Sequence, residues 1–274
     1  MLAEFEYTAT DSVAAAVAAL SATADGRPLA GGHGLLTAMK RRKESPSRLV
    51  DLRGIRELRG ITEVPGALRI GALTTLTELL EHAALRQGHP ALVEAVRGTG
   101  DPQLRNRGTV GGSLATRHAC ADLSAPLLLA DASVTIAGPD GERRLSLVDF
   151  YGTDGPLLGL SEIITAVYLP ALPAGLGTAY ERMADRATLE PVCGVAAGVS
   201  LRPDGTPGAV RLAVTGATFR PIRLDDPDGV LAGAPLPTER FVGDTVASAE
   251  YRIHLTRVLA RRAVARARQA AGSS

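Results

Sequence analysis

The chain has 274 residues, 45% hydrophobic and 22% charged, with a formal net charge of +1, and its length suits one large or two small globular domains. Two cysteines exclude a disulfide framework, a four-thiolate zinc site and an iron–sulfur cluster held by this chain; five tyrosines, four phenylalanines and no tryptophan on a near-neutral chain argue against nucleic-acid binding. No apolar run approaches the roughly 18–20 residues that span a bilayer, and the N-terminal MLAEFEYTA is acidic where a secretion signal is basic, so the expectation is a cytoplasmic protein without membrane insertion.

The first 170 residues read as a mixture of strands and helices. Period-two alternation over Glu4-Phe5-Glu6-Tyr7-Thr8 predicts a strand, and Asp11 or Ser12 caps an alanine-rich helix through Ala19. Pro28-Leu29-Ala30 is a short extended segment entering Gly31-Gly32-His33-Gly34. The apolar spacing of Leu35, Leu36 and Met39 then predicts a helix ending in Lys40-Arg41-Arg42-Lys43. Arg48–Asp51 reads as a strand, Ile61–Val64 and Leu68–Ala72 as a hairpin around Pro65-Gly66-Ala67, and Thr75 as the cap of a helix through Leu85. A helix after Pro90 reaches Val96. A loop then carries Gly108-Thr109-Val110-Gly111-Gly112-Ser113. Asp122–Leu129 reads as a buried helix, Ser133–Ala137 and Arg143–Ser146 as a second hairpin, and Ile163–Leu169 as an apolar strand.

Pro170, Pro173 and Gly175 punctuate the chain, which places a domain boundary there: 1–172 and 173–274. Beyond it lie strands at Ala179–Met183, Cys193–Leu201 and Val210–Val214, a proline-rich connection, and an arginine-rich helix over Ser248–Ala270. The order suggests α+β layers rather than alternating βαβ units.

Thirty glycines make up about 11% of the chain, against a typical ~7%. Those in Ala30-Gly31-Gly32-His33-Gly34 and Thr109-Val110-Gly111-Gly112-Ser113 have a chemical reading. Consecutive glycines let backbone N–H groups converge on a diphosphate, and a helix behind them adds a favourable dipole. Arg105 and Arg107 precede the second motif. Neither motif alone distinguishes a phosphate cradle from a tight turn, and the G-x-G-x-x-G and G-x-x-x-x-G-K-[ST] fingerprints are absent.

Taken together and in order, the two glycine motifs, Ala121-Asp122-Leu123, Glu162–Val167, Tyr180–Arg186 and Ser248-Ala249-Glu250-Tyr251-Arg252 resemble the FAD-binding medium subunit of molybdenum hydroxylases. That group includes the flavin subunits of carbon monoxide dehydrogenase and xanthine dehydrogenase. The resemblance implies an α+β fold: a PCMH-type FAD-binding domain of two subdomains, then a C-terminal α+β domain. It implies FAD as cofactor, with Ala30, Gly31, Gly32, His33 and Gly34 and Thr109, Gly111, Gly112 and Ser113 around the diphosphate and adjacent hydroxyls. By the same likeness Asp122 reaches the cofactor's sugar region, Ile163 and Ile164 lie in a strand beside it, and Arg182 stands near the flavin's pyrimidine edge. The implied partners are a molybdenum-binding large subunit and a [2Fe–2S] small subunit, with electrons passing through FAD to an acceptor.

The sequence departs from the family pattern at three places. Gly34 replaces a serine, threonine or aspartate; Arg117-His118-Ala119-Cys120 replaces a small, Asp-Pro-rich stretch; Leu189 stands where an acidic residue is common. These leave two alternatives open: a standalone FAD-dependent oxidase or monooxygenase of a small-molecule substrate, or a scaffold that has lost FAD. His118 and Cys120 form an H-x-C pair without a nearby third metal ligand, and Cys193 reads as a buried small hydrophobe. No hydrolase or metalloprotease motif occurs. The arginines of the last helix read either as a solvated face or as a docking surface for an acidic partner.

Overall fold

The computed structural model describes residues 2–115, 122–152, 156–202 and 204–272. In chain order they form β1 (Glu6–Ala9), α1 (Val13–Ser21), β2 (Arg27–Leu29), α2 (His33–Lys40), β3 (Arg48–Asp51), β4 (Ile61–Val64) and β5 (Ala67–Gly71). Five helices follow: α3 (Leu76–Glu81), α4 (Ala83–Gly88), α5 (Pro90–Gly98), α6 (Pro102–Arg107) and α7 (Val110–Ala115). Next come α8 (Ser124–Leu129), β6 (Ser133–Gly138), β7 (Gly141–Ser146), α9 (Leu147–Gly152) and β8 (Ile163–Pro170). The last elements are β9 (Leu176–Ala184), β10 (Pro191–Leu201), β11 (Pro207–Thr215), β12 (Ile222–Arg223), α10 (Pro227–Ala232) and α11 (Ala249–Gly272).

These elements gather into two compact units that are discontinuous in sequence. The first takes Met1–Leu79, Asp101–Thr116 and Ser133–Leu169; the second takes Leu80–Gly100, Arg117–Ala132 and Pro170–Ser274. The first unit holds a parallel three-stranded sheet, order β1-β3-β2, and a five-stranded sheet, order β4-β5-β8-β6-β7. Its core joins Leu20 of α1 to Val50, Ile55 and Leu58, with Ile163 of β8 in the same cluster. Ser12 caps α1 through its hydroxyl, as the sequence predicts.

The second unit is built on an antiparallel sheet, order β12-β11-β10-β9. β10 reads as a near-continuous apolar run because it is covered on both faces. Ala260, Ala263 and Ala267 of α11 lie in its core with Val195, Ala197 and Val199, and a Cβ at Gly198 would meet the Leu129 methyls of α8. Gly177 of β9 permits the closest approach: a Cβ there would fall on the Ala267 carbonyl of α11. His89 starts α5, is only 6% exposed, and with Leu92, Leu129 and Thr178 lines a cavity of about 10 Å³.

Several local features differ from the sequence expectations, among them α6 and α10, helices in segments expected as a loop and a connection. The helix expected from Thr75 to Leu85 is two helices, because His82 takes an extended backbone (φ −73°, ψ 120°) and starts α4. No glycine or proline marks that break. The segment 109–113, expected as a loop, enters the short helix α7, closed at its start by Thr109. α9 was not expected, although Ser146 and Asp149 form a reciprocal cap at its start.

Candidate functional site: two glycine motifs and a buried carboxylate cluster

Both glycine motifs fall in the first unit and meet there. A Cβ at Gly31 would fall on the Arg107 carbonyl oxygen and within 3.3 Å of Gly108 Cα. Only glycine lets the two backbones lie this close. Gly32 then turns the chain into α2 at φ +81°, a left-handed conformation that favours glycine. Ala30 and Gly31 are half-buried, whereas His33 and Gly34 are exposed.

The amides of the two motifs are used differently. Leu36 N–H begins the α2 ladder by donating to the Gly32 carbonyl at 2.9 Å. The N–H groups of Gly32, His33, Gly34 and Leu35 have no partner among the described residues. Four unengaged donors at a helix start are suited to an anion. The second motif is already engaged. Val110 N–H donates to the Thr74 carbonyl at 3.0 Å, Gly111 N–H to the Ala72 carbonyl at 2.8 Å, and Ser113 N–H to the Thr109 carbonyl at 2.9 Å. Gly112 N–H donates to the Thr109 hydroxyl at 3.1 Å. A Cβ at Gly111 would stand 2.7 Å from the Ala72 Cβ. The second motif is therefore a brace, seating α7 on the end of β5 and presenting the Arg107–Gly108 backbone to Gly31.

Ile163 and Ile164 are 2% and 5% exposed. They lie on β8, paired with Ala137 and Ile136 of β6 inside the five-stranded sheet of the first unit.

Asp122 and Arg182 lie together in the second unit. Asp122 is fully buried. Its Oδ1 accepts from the Tyr180 hydroxyl at 2.7 Å, and its Oδ2 from Arg182 Nη1 at 2.6 Å and from the Thr99 hydroxyl at 3.2 Å. Burial pushes the Asp122 carboxyl above its ordinary value, against the Arg182 charge and three hydrogen bonds. Burial and the adjacent carboxylate push the Tyr180 phenol well above its own. Gly194 of β10 makes room for this arrangement, since a Cβ there would occupy the position of the Tyr180 hydroxyl. Arg182 also donates to the Leu189 carbonyl at 3.0 Å. Leu189 sits at φ +59° in the turn joining β9 to β10, where the Asp185 carboxylate accepts from the Ala187 and Thr188 amides at 2.8 Å each.

Sequence reading missed Thr99 and Gly194 as members of this cluster. The signal for Gly194 was a glycine inside an apolar strand, which marks close approach; Thr99 gave none. Arg117, His118 and Cys120 lie outside the described residues. Among the described residues, no group of three or more His, Cys, Asp or Glu side chains could hold a metal, and no helix is long and apolar enough to cross a membrane.

Of the α11 arginines, Arg252 and Arg257 are drawn into the packing, while Arg261, Arg262, Arg266 and Arg268 lie on the exposed face. Arg252 is 5% exposed; it pairs with Asp244 at 2.6 Å and donates to the Gly216 carbonyl at 2.9 Å. Arg257 reaches the Ala234 carbonyl at 3.2 Å. Arg266 ties Glu94 of α5 to Glu181 of β9, pairing with both.

Residues 3–172 match the family model for the FAD binding domain in molybdopterin dehydrogenase. The chain belongs to that family. It is 35% identical over 237 residues to the carbon monoxide dehydrogenase medium chain of Hydrogenophaga pseudoflava, covering 86% of this chain and 82% of that one. It is 31% identical to the xanthine dehydrogenase FAD-binding subunit of Escherichia coli O157:H7, covering 97% of each. Among solved structures, a chain of the reconstituted carbon monoxide dehydrogenase from Oligotropha carboxidovorans aligns with a TM-score of 0.88 and 31% identity, over 98% of this chain and 99% of that one. The likeness to that solved chain carries the α+β fold beyond the 3–172 family match, over 98% of this chain.

Proposed function

We propose that this chain is the FAD-carrying subunit of a molybdenum hydroxylase-type complex. It would pass electrons from molybdenum-binding and [2Fe–2S] partner chains through FAD to an acceptor. The observation that carries the reading is the set of unengaged amides at Gly32, His33, Gly34 and Leu35, in a chain whose family is defined by FAD binding. Two further facts support it. The first motif presents its amides at a helix N-terminus, which favours an anion, and two cysteines cannot hold the clusters that feed a flavin, so those belong to other chains.

The residues divide the task as follows. Ala30 and Gly31 fix the entry to α2, and the amides of Gly32, His33 and Gly34 hold the diphosphate with the helix dipole behind them. The loss of a side-chain acceptor or donor at Gly34 leaves its N–H in place. Thr109, Gly111, Gly112 and Ser113 hold the first motif in position from below. Ile163 and Ile164 offer backbone to the cofactor. Asp122 acts through Tyr180 and Arg182, holding the Arg182 guanidinium in place against the 185–190 turn. Bound FAD supplies the redox chemistry at its isoalloxazine ring; the protein supplies binding, orientation and electrostatics.

The domain division proposed with this reading is 1–172 and 173–274, supported by the family match ending at residue 172. A cytoplasmic setting is part of it too: Cys193 is a free thiol, buried beside Thr256, and burial pushes it up to about 12. Relatives named for carbon monoxide and for xanthine match at 35% and 31%, so the proposal concerns the flavin step common to both.

The test is an absorbance spectrum of the purified full-length chain supplied with FAD. A band at about 450 nm that stays with the protein through gel filtration is expected; its absence sinks the reading.

A further inference from the structure

The second unit contains a cavity of about 10 Å³ that the function proposed above does not use. Leu92 of α5, Pro126 and Leu129 of α8, and Leu172 give it apolar walls. Two polar residues join the lining, Thr178 from β9 and His89 from the start of α5. Thr178 is 4% exposed, and its Oγ1 is buried with no hydrogen-bond partner among the described residues. Burial alone acts on the His89 imidazole, holding it down to about 4 with no charge or hydrogen bond against it. The ring is therefore neutral at pH 7 and carries one donor and one acceptor nitrogen. A hydroxyl left unpartnered against hydrocarbon is costly to folding, so such a group in a native protein calls for a partner.

We propose that this cavity is a binding site for one water molecule, hydrogen-bonded to Thr178 Oγ1 and to the His89 ring, which links β9 to the start of α5. Size selects the occupant, because a cavity of these dimensions has room for roughly one water and nothing larger. Chemistry selects it again. Water both donates and accepts, so it satisfies a hydroxyl and a neutral imidazole in either tautomer. An anion would meet an uncharged ring, and among the described residues no group of three or more His, Cys, Asp or Glu side chains could hold a metal. The site also continues a line of polar ties between α5 and β9. Thr178, Tyr180 and Arg182 alternate along β9 and share one face, while Ala179 joins the core with α11 on the other. Tyr180 N–H donates to the Glu94 carboxylate of α5 at 2.9 Å. Thr99, directly after α5, donates to Asp122, which in turn holds Tyr180 and Arg182. The bound water supplies the tie at the first turn of the helix, so α5 is fastened to this face of β9 at its start, middle and end.

The test combines a high-resolution crystal structure of the full-length chain with denaturant unfolding of two variants. Density for an ordered water within about 3.2 Å of both Thr178 Oγ1 and a His89 ring nitrogen is expected. Its absence overturns the proposal without recourse to any variant. Thr178→Val keeps the shape of the side chain and removes the hydroxyl. It should empty the site and lower the folding equilibrium constant about three- to tenfold, whereas Thr178→Ser should keep the water. In a dry cavity Thr178→Val would instead relieve an unpartnered hydroxyl and raise the constant, and that sign overturns the proposal. Pairing Thr178→Val with His89→Leu completes a double-mutant cycle. A water shared by the two residues predicts a departure from additivity of at least ~2-fold in the folding constant; strictly additive effects overturn the link to His89. Every readout is independent of flavin, so the water site stands or falls apart from the function proposed above.

Discussion

The two glycine motifs contain the same kind of residue and do different physical work. At 31–34, glycine allows a left-handed turn and leaves a row of amides without internal partners. At 111–112, glycine allows a helix to sit against a strand end, and the amides of Val110 to Ser113 are engaged with Thr74, Ala72 or Thr109. One motif is a set of donors held ready; the other is the clamp that holds it. A Gly-Gly pair in sequence therefore identifies close approach, and only the hydrogen-bond pattern shows whether the neighbour is a ligand or more protein.

That comparison can be broken by substitution. The largest effect is expected for Gly31→Ala, whose methyl would fall on the Arg107 carbonyl. It should cost about 3 kcal/mol or more and empty the flavin site, as read by denaturant unfolding and absorbance. Gly111→Ala comes next, at about 1–2 kcal/mol, because crowding against Ala72 exceeds the gain in helix propensity. If the second motif is a brace, flavin content should fall only in proportion to lost stability. Gly32→Ala should cost about 1 kcal/mol through its positive φ yet weaken FAD binding more than Gly111→Ala does, as followed by fluorescence titration. Equal flavin affinities in these two variants would erase the distinction between donor and clamp. Smallest is Thr109→Val, which removes the hydroxyl accepting from Gly112; about 1 kcal/mol of stability should go, and Thr109→Ser should restore most of it.

Much of the fold was legible because its signals are local. The two hairpins around Gly66 and Gly141 and the Ser12 cap follow from turn chemistry and periodicity. The apolar run of β10 told of burial on both faces, and the family likeness ordered the rest. The site was legible as a pair of motifs but not as a division of labour. That Gly111 N–H is engaged depends on Ala72, 39 positions away in sequence, and periodicity carries no such information. The same holds for Asp122, whose partners Thr99 and, on β9, Tyr180 and Arg182 come from two segments far from it in sequence. The ion pairs of Arg252 and Arg266 were hidden for a related reason: composition counts charges, while Glu94, Glu181 and Asp244 are brought to them only by folding.

The burial of His89 has a consequence in protons. Burial lowers its imidazole from 6.5 to about 4 in the folded chain. Between those values the unfolded chain takes up a proton that the folded chain refuses, so acid favours unfolding. Stability from this group is whole above pH 6.5, declines as pH falls toward 4, and levels off below it. Melting curves of the wild type and His89→Gln across that window should diverge by the uptake of one proton, the variant being less sensitive to acid. The second unit thus carries an acid-labile point at the N-terminus of α5, the helix whose Glu94 is tied by Arg266 to α11.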